Sequence, residues 1–154
     1  MSVIERSIQV GWQLRVFFTE DVFAPANPVL KNTLADTAMR KVLVVLDQSV
    51  AAAQPELSQR IESYFFSHMA RLRLVCPPVI IEGGERAKNS PELINEIHSQ
   101  IDRHHIDRHS YLIAVGGGAL LDVAGFAAAT AHRGVRHVRT QPGRLYYPVS
   151  ISDG

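Results

Sequence analysis

The sequence has one cysteine, Cys76, in 154 residues. A single cysteine cannot form a disulfide within the chain, so neither a disulfide scaffold nor an oxidising compartment is indicated. The sequence also lacks a signal peptide and any apolar run of about 18 residues, the length that a membrane-spanning helix needs. We therefore expect a cytoplasmic protein with no membrane partner.

The chain has little net charge, because sixteen Lys and Arg face fifteen Asp and Glu. The basic residues are scattered along the sequence and form no block, which argues against nucleic acid or an anionic membrane surface as the main partner. With 46% hydrophobic residues, the chain is long enough to bury one hydrophobic core. Its composition is that of a soluble globular domain.

Apolar runs of strand length alternate with segments of helical period. One or two strands are predicted at residues 8–18, in a hairpin or at a sheet edge, and further strands at 41–47, 77–81, 111–115 and 135–139. Helices are predicted from about residue 27 and at 56–72, 90–104 and 119–132, the third with Ser90 as N-cap before Pro91. This alternation predicts an α/β fold, a Rossmann-like, mostly parallel sheet with helices on both faces.

The most informative stretch is YLIAVGGGALLD at residues 111–122, an apolar strand that ends in three glycines and resumes as a helix. Such a turn presents backbone N–H groups at the positive end of a helix, and glycine lets a ligand approach the backbone closely. A phosphate-binding turn is therefore predicted, with a purely structural turn as the alternative.

Three polar segments follow predicted strands. Asp47 ends one strand, the loop 82–88 follows another, and Gly116–Gly118 follows a third. Ligands of doubly wound sheets bind beyond the carboxyl ends of the strands, so these segments should converge. A carboxylate suits ribose hydroxyls and a glycine turn suits phosphates, which together predict a nucleotide crevice.

The common dinucleotide fingerprint is not met. Leu121 occupies the position of its third glycine, and the strand at 135–139 is followed by no carboxylate. The acidic residue is instead Asp122, predicted in the first turn of the helix. The helix dipole alone favours a negative charge there, so a structural role for Asp122 is the alternative to a binding role.

At these residues the chain resembles the dehydroquinate synthase-like family, which includes related sugar-phosphate cyclases. The resemblance rests on GGGALLDVAGFAAATAHRG at 116–134, on GERAK at 84–88 and on LD at 46–47, and it spans roughly residues 10–140. It implies an NAD-binding α/β domain at 1–140. In the family this domain precedes a helical, metal-binding C-terminal domain.

The resemblance also implies roles for individual residues. Asp47 would hold the adenosine ribose, and Asp122 would lie near the nicotinamide ribose or amide. The remaining cofactor-binding residues are Glu85 and Lys88 on the nicotinamide side, and Gly117, Gly118 and Ala119 at the pyrophosphate. Arg133 matches a family arginine that reaches the substrate phosphate of a neighbouring subunit, which implies a homodimer.

The sequence departs from the family pattern in three respects. Ser49 replaces an asparagine, Ala119 replaces a valine, and the family's Pro-Thr-Thr and following Asp/Gly/Lys loop are missing after Arg139. Residues 141–154 are therefore expected to be a divergent tail, with the C-terminal domain missing through truncation. The family's metal ligands belong to that domain, so zinc or cobalt is expected only with it and no metal ligand is assigned here.

The implied activity is that of a 3-dehydroquinate synthase-like carbon–oxygen lyase. Such an enzyme uses NAD in eliminating phosphate from, and cyclising, a seven-carbon sugar phosphate. We expect this chain to be inactive alone, with no complete catalytic set. The alternatives are a domain of an iron- or zinc-dependent polyol dehydrogenase of the glycerol type, and a non-catalytic nucleotide-binding remnant.

Other candidate chemistry is weak. His105 and His109 have the i, i+4 spacing of metal ligands on a helix, but that helix is expected to end near His104. His68, on an apolar helix face, is predicted to be a satisfied core or rim residue. Cys76 has no visible partner base and is predicted to be structural.

Overall fold

The computed structural model describes residues 2–7, 9, 14–35, 37–84, 90–142 and 147–152, the last stretch by its backbone. The described residues form seven strands and five helices. The strands are β1 (Leu14–Thr19), β2 (Arg40–Asp47), β3 (Leu72–Leu74), β4 (Val79–Ile81), β5 (Tyr111–Val115), β6 (Arg136–Thr140) and β7 (Tyr147–Ser152). The helices are α1 (Val29–Leu34), α2 (Gln48–Ala53), α3 (Leu57–Ser67), α4 (Pro91–Arg103) and α5 (Gly118–Thr130).

All seven strands join one sheet in the order β1-β7-β6-β5-β2-β3, and β4 pairs with the carboxyl-terminal half of β2. The five strands from β2 to β6 are parallel, whereas β7 and β1 continue the sheet antiparallel to β6 and to each other. The predicted mostly parallel α/β sheet is thus confirmed. The carboxyl ends of β2, β4 and β5 meet at one edge.

The central strand β2 supplies side chains to both faces of the sheet. Val42, Val44 and Leu46 pack with α1, α2 and α3 on one face, while Leu43 and Val45 pack with α4 and α5 on the other. Each fully buried aliphatic side chain of this kind contributes about 1.5–3 kcal/mol. Helices therefore cover both faces, as predicted.

Two elements after β2 differ from the prediction. The short helix α2 directly follows Asp47, and α3 ends at Ser67, so the predicted helix 56–72 is wrong at its end. Leu72 belongs instead to β3, where it pairs with Arg40. An apolar residue at helical spacing and one on a short buried strand look alike in sequence, and the sheet decides between them.

The N-terminal strand lies at the sheet edge, one of its two predicted positions. Its partner is β7, so the strands nearest the two ends of the described chain pair with each other. The tail predicted to diverge after residue 140 thus contributes a strand to the same sheet, which its sequence pattern did not indicate.

The helices on the α4/α5 face begin and end close to their predicted bounds. Ser90 is the N-cap residue of α4 as predicted, but its hydroxyl donates to Glu92 Oε2 at 2.7 Å and makes no capping bond. Gly125 allows close packing of α5: an ideal Cβ there would lie 2.7 Å from Arg139 Nη2 and 3.3 Å from the His137 ring.

The longest helices in the described part of the chain have 13 residues. None of the described helices combines the length and the hydropathy needed to cross a bilayer.

His137 is a buried polar residue on β6 that faces α5. Its Nε2 atom has no hydrogen-bond partner among the described residues. Burial, together with the smaller effect of the nearby Arg139 charge, lowers the pKa of His137 from 6.5 to about 3. The imidazole is therefore neutral in the folded protein at neutral pH.

We expect the free energy of unfolding to fall as the pH drops below about 6.5, because His137 then takes up a proton only in the unfolded chain. Its contribution is about 1.4 kcal/mol per pH unit until the folded-state pKa is approached, and none above pH 6.5. Urea denaturation at several pH values between 4.5 and 7.5 measures it. The His137→Leu variant should show a shallower slope, and equal slopes in both proteins would contradict the assignment.

Candidate functional site

A cleft of about 380 Å³ lies at the carboxyl ends of the parallel strands. The cleft is formed by the end of β2, the turn after β5 and the described part of the loop after β4. These segments were predicted to converge. Its lining residues are Asp47, Ser49, Val50, Gly84, Gly116, Gly117, Gly118, Ala119, Gln141 and Pro142.

Among the described lining residues Asp47 is the charged one, and only 3% of its surface is exposed. Its Oδ1 atom accepts two hydrogen bonds from Ser49, one from the backbone N–H at 2.8 Å and one from the hydroxyl at 2.6 Å. The carboxylate also caps α2. These bonds offset the cost of burying the charge and hold its orientation.

Two glycines enclose the Asp47 side chain. A Cβ on Gly83 would collide with the carboxylate, and a Cβ on Gly116 would lie 2.6 Å from Asp47 Cβ and 2.9 Å from Leu120 Cδ2. The Gly116 N–H also donates to the Thr140 carbonyl at 3.1 Å, which ties the turn to β6. Glycine is needed at 83 and 116 because the aspartate fills the space that a side chain would use.

The next two glycines are in a different environment. An ideal Cβ on Gly117 or Gly118 would meet no atom of the described residues within 4 Å, so both glycines leave space open in the described part of the cleft. Helix α5 begins here. Its N-cap residue is Gly117, which has no side chain that could form a capping hydrogen bond. The first backbone N–H groups of a 13-residue helix therefore border the cleft, an arrangement that favours an anion.

The loop after β4 adds Gly84 to the cleft, with a positive φ of 89° that favours glycine. Glu85 and Lys88, the predicted cofactor residues of this loop, lie outside the described residues.

Asp122 lies on the predicted helix but not in its first turn. Helix α5 starts at Gly118, so Asp122 lies beyond the first turn, and the prediction of a first-turn position is wrong. Its carboxylate lies 3.8 Å from Arg139 Nη2 in an exposed ion pair, and it does not line the cleft. An exposed pair of this kind contributes about 0–1 kcal/mol to stability.

Arg133 lies at the opposite edge of the sheet, beyond the end of α5. The helix has 13 residues and is thus about 20 Å long, which separates Arg133 from the cleft at its start. Arg133 lines a second cleft of about 630 Å³ together with residues at the starts of β2 and β5, among them Lys41, Arg108 and His109.

Some cleft residues escaped prediction. The sequence predicts no binding role for Ser49, which is only a departure from the family pattern. A serine two residues after a strand-ending aspartate is nevertheless a local signal for a hydrogen-bonded turn. In the sequence, the pair Gly83–Gly84 is recognisable only as part of a polar loop. No sequence signal indicated Gln141 or Pro142, because they belong to the tail.

The histidines and the cysteine agree with their structural interpretations. His68 is half-buried, with Nδ1 2.8 Å from the Tyr64 carbonyl and its ring packed on Tyr64. His105 lies in the turn after α4, with a positive φ of 51°, and so shares no helix face with His109. No group of three or more potential metal ligands occurs within the described residues.

Cys76 lies in a larger cleft of about 670 Å³ between α3 and the short strands β3 and β4. Burial raises the pKa of its thiol, although the Arg103 charge acts in the opposite direction. A protonated thiol is a poor nucleophile, which agrees with the structural interpretation of Cys76.

Comparison with known proteins gives a consistent family. The sequence model of the family described as 3-dehydroquinate synthase N-terminal matches residues 78–146. The 3-dehydroquinate synthase of Streptococcus equi subsp. equi (strain 4047) is 30% identical over 139 residues, covering 90% of this chain and 34% of that protein. The 2-epi-5-epi-valiolone synthase of Streptomyces glaucescens is 31% identical over 148 residues, covering 94% of this chain and 36% of that protein.

Solved structures agree with these relatives. ValA, the 2-epi-5-epi-valiolone synthase from Streptomyces hygroscopicus subsp. jinggangensis 5008 with NAD+ and Zn2+ bound, has a TM-score of 0.57 at 29% identity, covering 75% of this chain and 29% of that one. A 2-deoxy-scyllo-inosose synthase has a TM-score of 0.59 at 20% identity, covering 79% of this chain and 31% of that one, and shows the fold. This chain spans about a third of the length of the relatives it matches. It belongs to the dehydroquinate synthase-like family of sugar-phosphate cyclases, whose N-terminal region it matches.

Proposed function

We propose that this chain is the NAD-binding part of a 3-dehydroquinate synthase-like enzyme. The observation that carries the proposal is the meeting of a buried carboxylate, Asp47, with the open glycine turn at the start of α5 inside one cleft. A carboxylate recognises ribose hydroxyls and a helix start recognises phosphate, so the cleft offers complementary groups for two parts of a dinucleotide.

We assign the direction of the bound cofactor from the family pattern. The adenosine ribose would lie at Asp47, and the pyrophosphate would lie against the backbone of Gly117, Gly118 and Ala119. The two glycines have no Cβ that would occupy this space. The described part of the loop after β4 provides Gly84 at the same rim. We assign Glu85, Lys88 and Asp122 to the nicotinamide side, as the family pattern implies.

Bound NAD would supply transient oxidation and re-reduction of a substrate carbon, the chemistry that the family couples to phosphate elimination. The residues of this chain would bind and orient the cofactor. Their part is to fix the ribose and the pyrophosphate so that the nicotinamide end projects beyond the rim of the cleft.

The remaining groups of the reaction are assigned to the second domain of the full-length family. The family's metal ligands belong to the second domain, so zinc or cobalt would be bound there. We propose a phosphorylated seven-carbon sugar as the substrate, and we expect this chain alone to lack the elimination and cyclisation activity.

Arg133 is assigned to a neighbouring subunit's substrate phosphate. It is exposed and about 20 Å from its own cleft, the length of α5, so it cannot reach a substrate bound there. A homodimer in which this edge faces the partner's cleft would give it a role.

The relatives favour this function over a polyol dehydrogenase, because the matching family model and the relatives described above are synthases of the cyclase type. A non-catalytic remnant that does not bind NAD is the outcome that the binding experiments below would reveal.

We expect NAD to bind the chain, with measurable heat in calorimetric titration and a raised melting temperature. The Asp47→Asn variant should weaken binding by about 10-fold or more, because hydrogen bonds to a charged group are worth about 1.5–3 kcal/mol. Binding without any loss in this variant would remove Asp47 from the site. Absence of heat and of a thermal shift at millimolar NAD would overturn the proposed function.

We also expect Gly117→Ala to separate binding from stability. Gly117 has an ordinary φ of −79° and no described atom where the methyl group would lie, so alanine should change the free energy of unfolding by no more than about 1 kcal/mol, because the lower entropy of the unfolded chain opposes the preference of N-cap positions for glycine over alanine. The added methyl group would occupy the pyrophosphate position and should weaken NAD binding by about 10-fold. Urea denaturation and calorimetric titration measure the two effects.

Gly116→Ala is the contrasting variant, since its Cβ would press on Asp47 and Leu120. We expect it to lower stability by about 1–3 kcal/mol through overpacking. A Gly117→Ala protein with unchanged NAD affinity would show that the pyrophosphate lies elsewhere.

A further inference from the structure

Arg139 reaches from the sheet to the helix that borders the cleft. It lies on β6, one residue before the end of the strand, and its side chain packs with that of His137 against α5. Its Nη2 atom lies 3.8 Å from Asp122 Oδ1. A cation is therefore held beside the carboxylate that we assign to the nicotinamide side of the cofactor.

The approach of Arg139 to Asp122 depends on a glycine in α5. An ideal Cβ on Gly125 would lie 2.7 Å from Arg139 Nη2, the same atom that faces the carboxylate. Gly125 follows Asp122 by three residues, so the two lie on one face of the helix. The guanidinium thus lies across the helix surface where residue 125 has no side chain, and it reaches Asp122 from there.

Stability does not account for this arrangement. The side chains of Arg139 and Asp122 are 42% and 66% exposed, and ion pairs with such exposure add little to stability because water and salt screen them. A glycine inside a helix lowers stability relative to alanine by an amount of the same order. The ion pair and the glycine beneath it therefore have opposing effects of similar size on folding.

Asp122 lies one helical turn from the cleft. Helix α5 begins at Gly118, and the four residues from there to Asp122 span about 6 Å along the helix axis. The carboxylate is therefore just beyond the rim that the glycine turn forms. The proposed function assigns the nicotinamide end of the cofactor to this side.

The two oxidation states of the cofactor differ in charge at the nicotinamide end. The oxidised ring carries a positive charge, whereas the reduced ring is neutral. A nearby carboxylate favours the oxidised state by Coulomb attraction, and a guanidinium beside that carboxylate opposes the effect. The adenosine and pyrophosphate parts have the same charge in both states, so their binding is not involved.

We propose that Arg139 is a positioning residue that, held over Gly125, acts through Asp122 to set the balance between binding of the oxidised and of the reduced cofactor. This rests on the proposed NAD function. Asp122 shifts the balance towards the oxidised cofactor, and Arg139 moderates that shift. Transient oxidation of a substrate requires the site to hold the cofactor in both states, and the pair keeps their affinities close together.

The test is calorimetric titration of the whole chain with NAD+, with NADH and with ADP-ribose, which lacks the nicotinamide ring. Arg139→Gln should raise the ratio of NAD+ affinity to NADH affinity by about 2- to 5-fold, the size of a screened charge interaction at an exposed site. Asp122→Asn should lower the same ratio by a similar factor. Arg139→Lys, which keeps the charge, should stay closer to the wild-type ratio. The affinity for ADP-ribose should be the same in all four proteins.

Arg60→Gln is the matched control, because Arg60 forms an ion pair with Asp21 and neither residue lines the cleft. It should leave the ratio unchanged, and circular dichroism and urea denaturation check the folding of every variant. A loss of packing alone would not shift the ratio in opposite directions in Arg139→Gln and Asp122→Asn.

If the chain binds NAD but these two variants shift the ratio in the same direction or leave it unchanged, the inference is wrong and the proposed function stands. Should Arg139→Gln fail to fold, an unchanged ratio in Asp122→Asn is enough to overturn the inference. If the wild-type chain binds none of the three ligands, the proposed function falls and the inference falls with it.

Discussion

The site depends on one buried charge and the space cleared for it. Asp47 ends the central strand, accepts two hydrogen bonds from Ser49, and lies against the backbones of Gly83 and Gly116. Three strand ends can approach one another closely because two of the connections carry no side chain at the point of contact. The buried carboxylate is hydrogen-bonded, because Ser49 supplies donors that replace water. Every interpretation of the cleft as a nucleotide site follows from this packing.

The electrostatics of the molecule are divided between the two edges of the sheet. Basic residues that are scattered in the sequence gather at the edge where the parallel strands begin, namely Arg40, Lys41, Arg71, Arg73, Arg103, Arg108, Arg133 and Arg136. The helices α4 and α5 end at this edge, and their partial negative charge favours cations. Lys41 donates to the His105 carbonyl just beyond α4 at 3.0 Å. The opposite edge carries Asp47 and the positive start of α5, which suits a ligand with both hydroxyls and phosphates.

Glycines that look alike in the sequence have different tasks in the structure. Gly116 and Gly83 make room for Asp47, Gly125 makes room for Arg139 and His137, and Gly117 and Gly118 leave the cleft open. A run of three glycines indicates that other groups approach the backbone closely, but it does not indicate which groups these are. Likewise, Asp122 was correctly placed on the helix, yet its position relative to the helix start and its pairing with Arg139 depend on where α5 begins and how it packs on β6.

The sequence by itself determined the alternation of strands and helices, the parallel core of the sheet and the strand ends at which Asp47 and Gly116–Gly118 would meet. It could do so because apolar periodicity and glycine turns are local properties. Only the tertiary structure decided that the tail pairs as β7 between β6 and β1, that Leu72 is a strand residue and that Arg133 lies far from the cleft. It also decided how deeply Asp47 is buried. Strand pairing and burial depend on residues distant in sequence, so no local pattern encodes them.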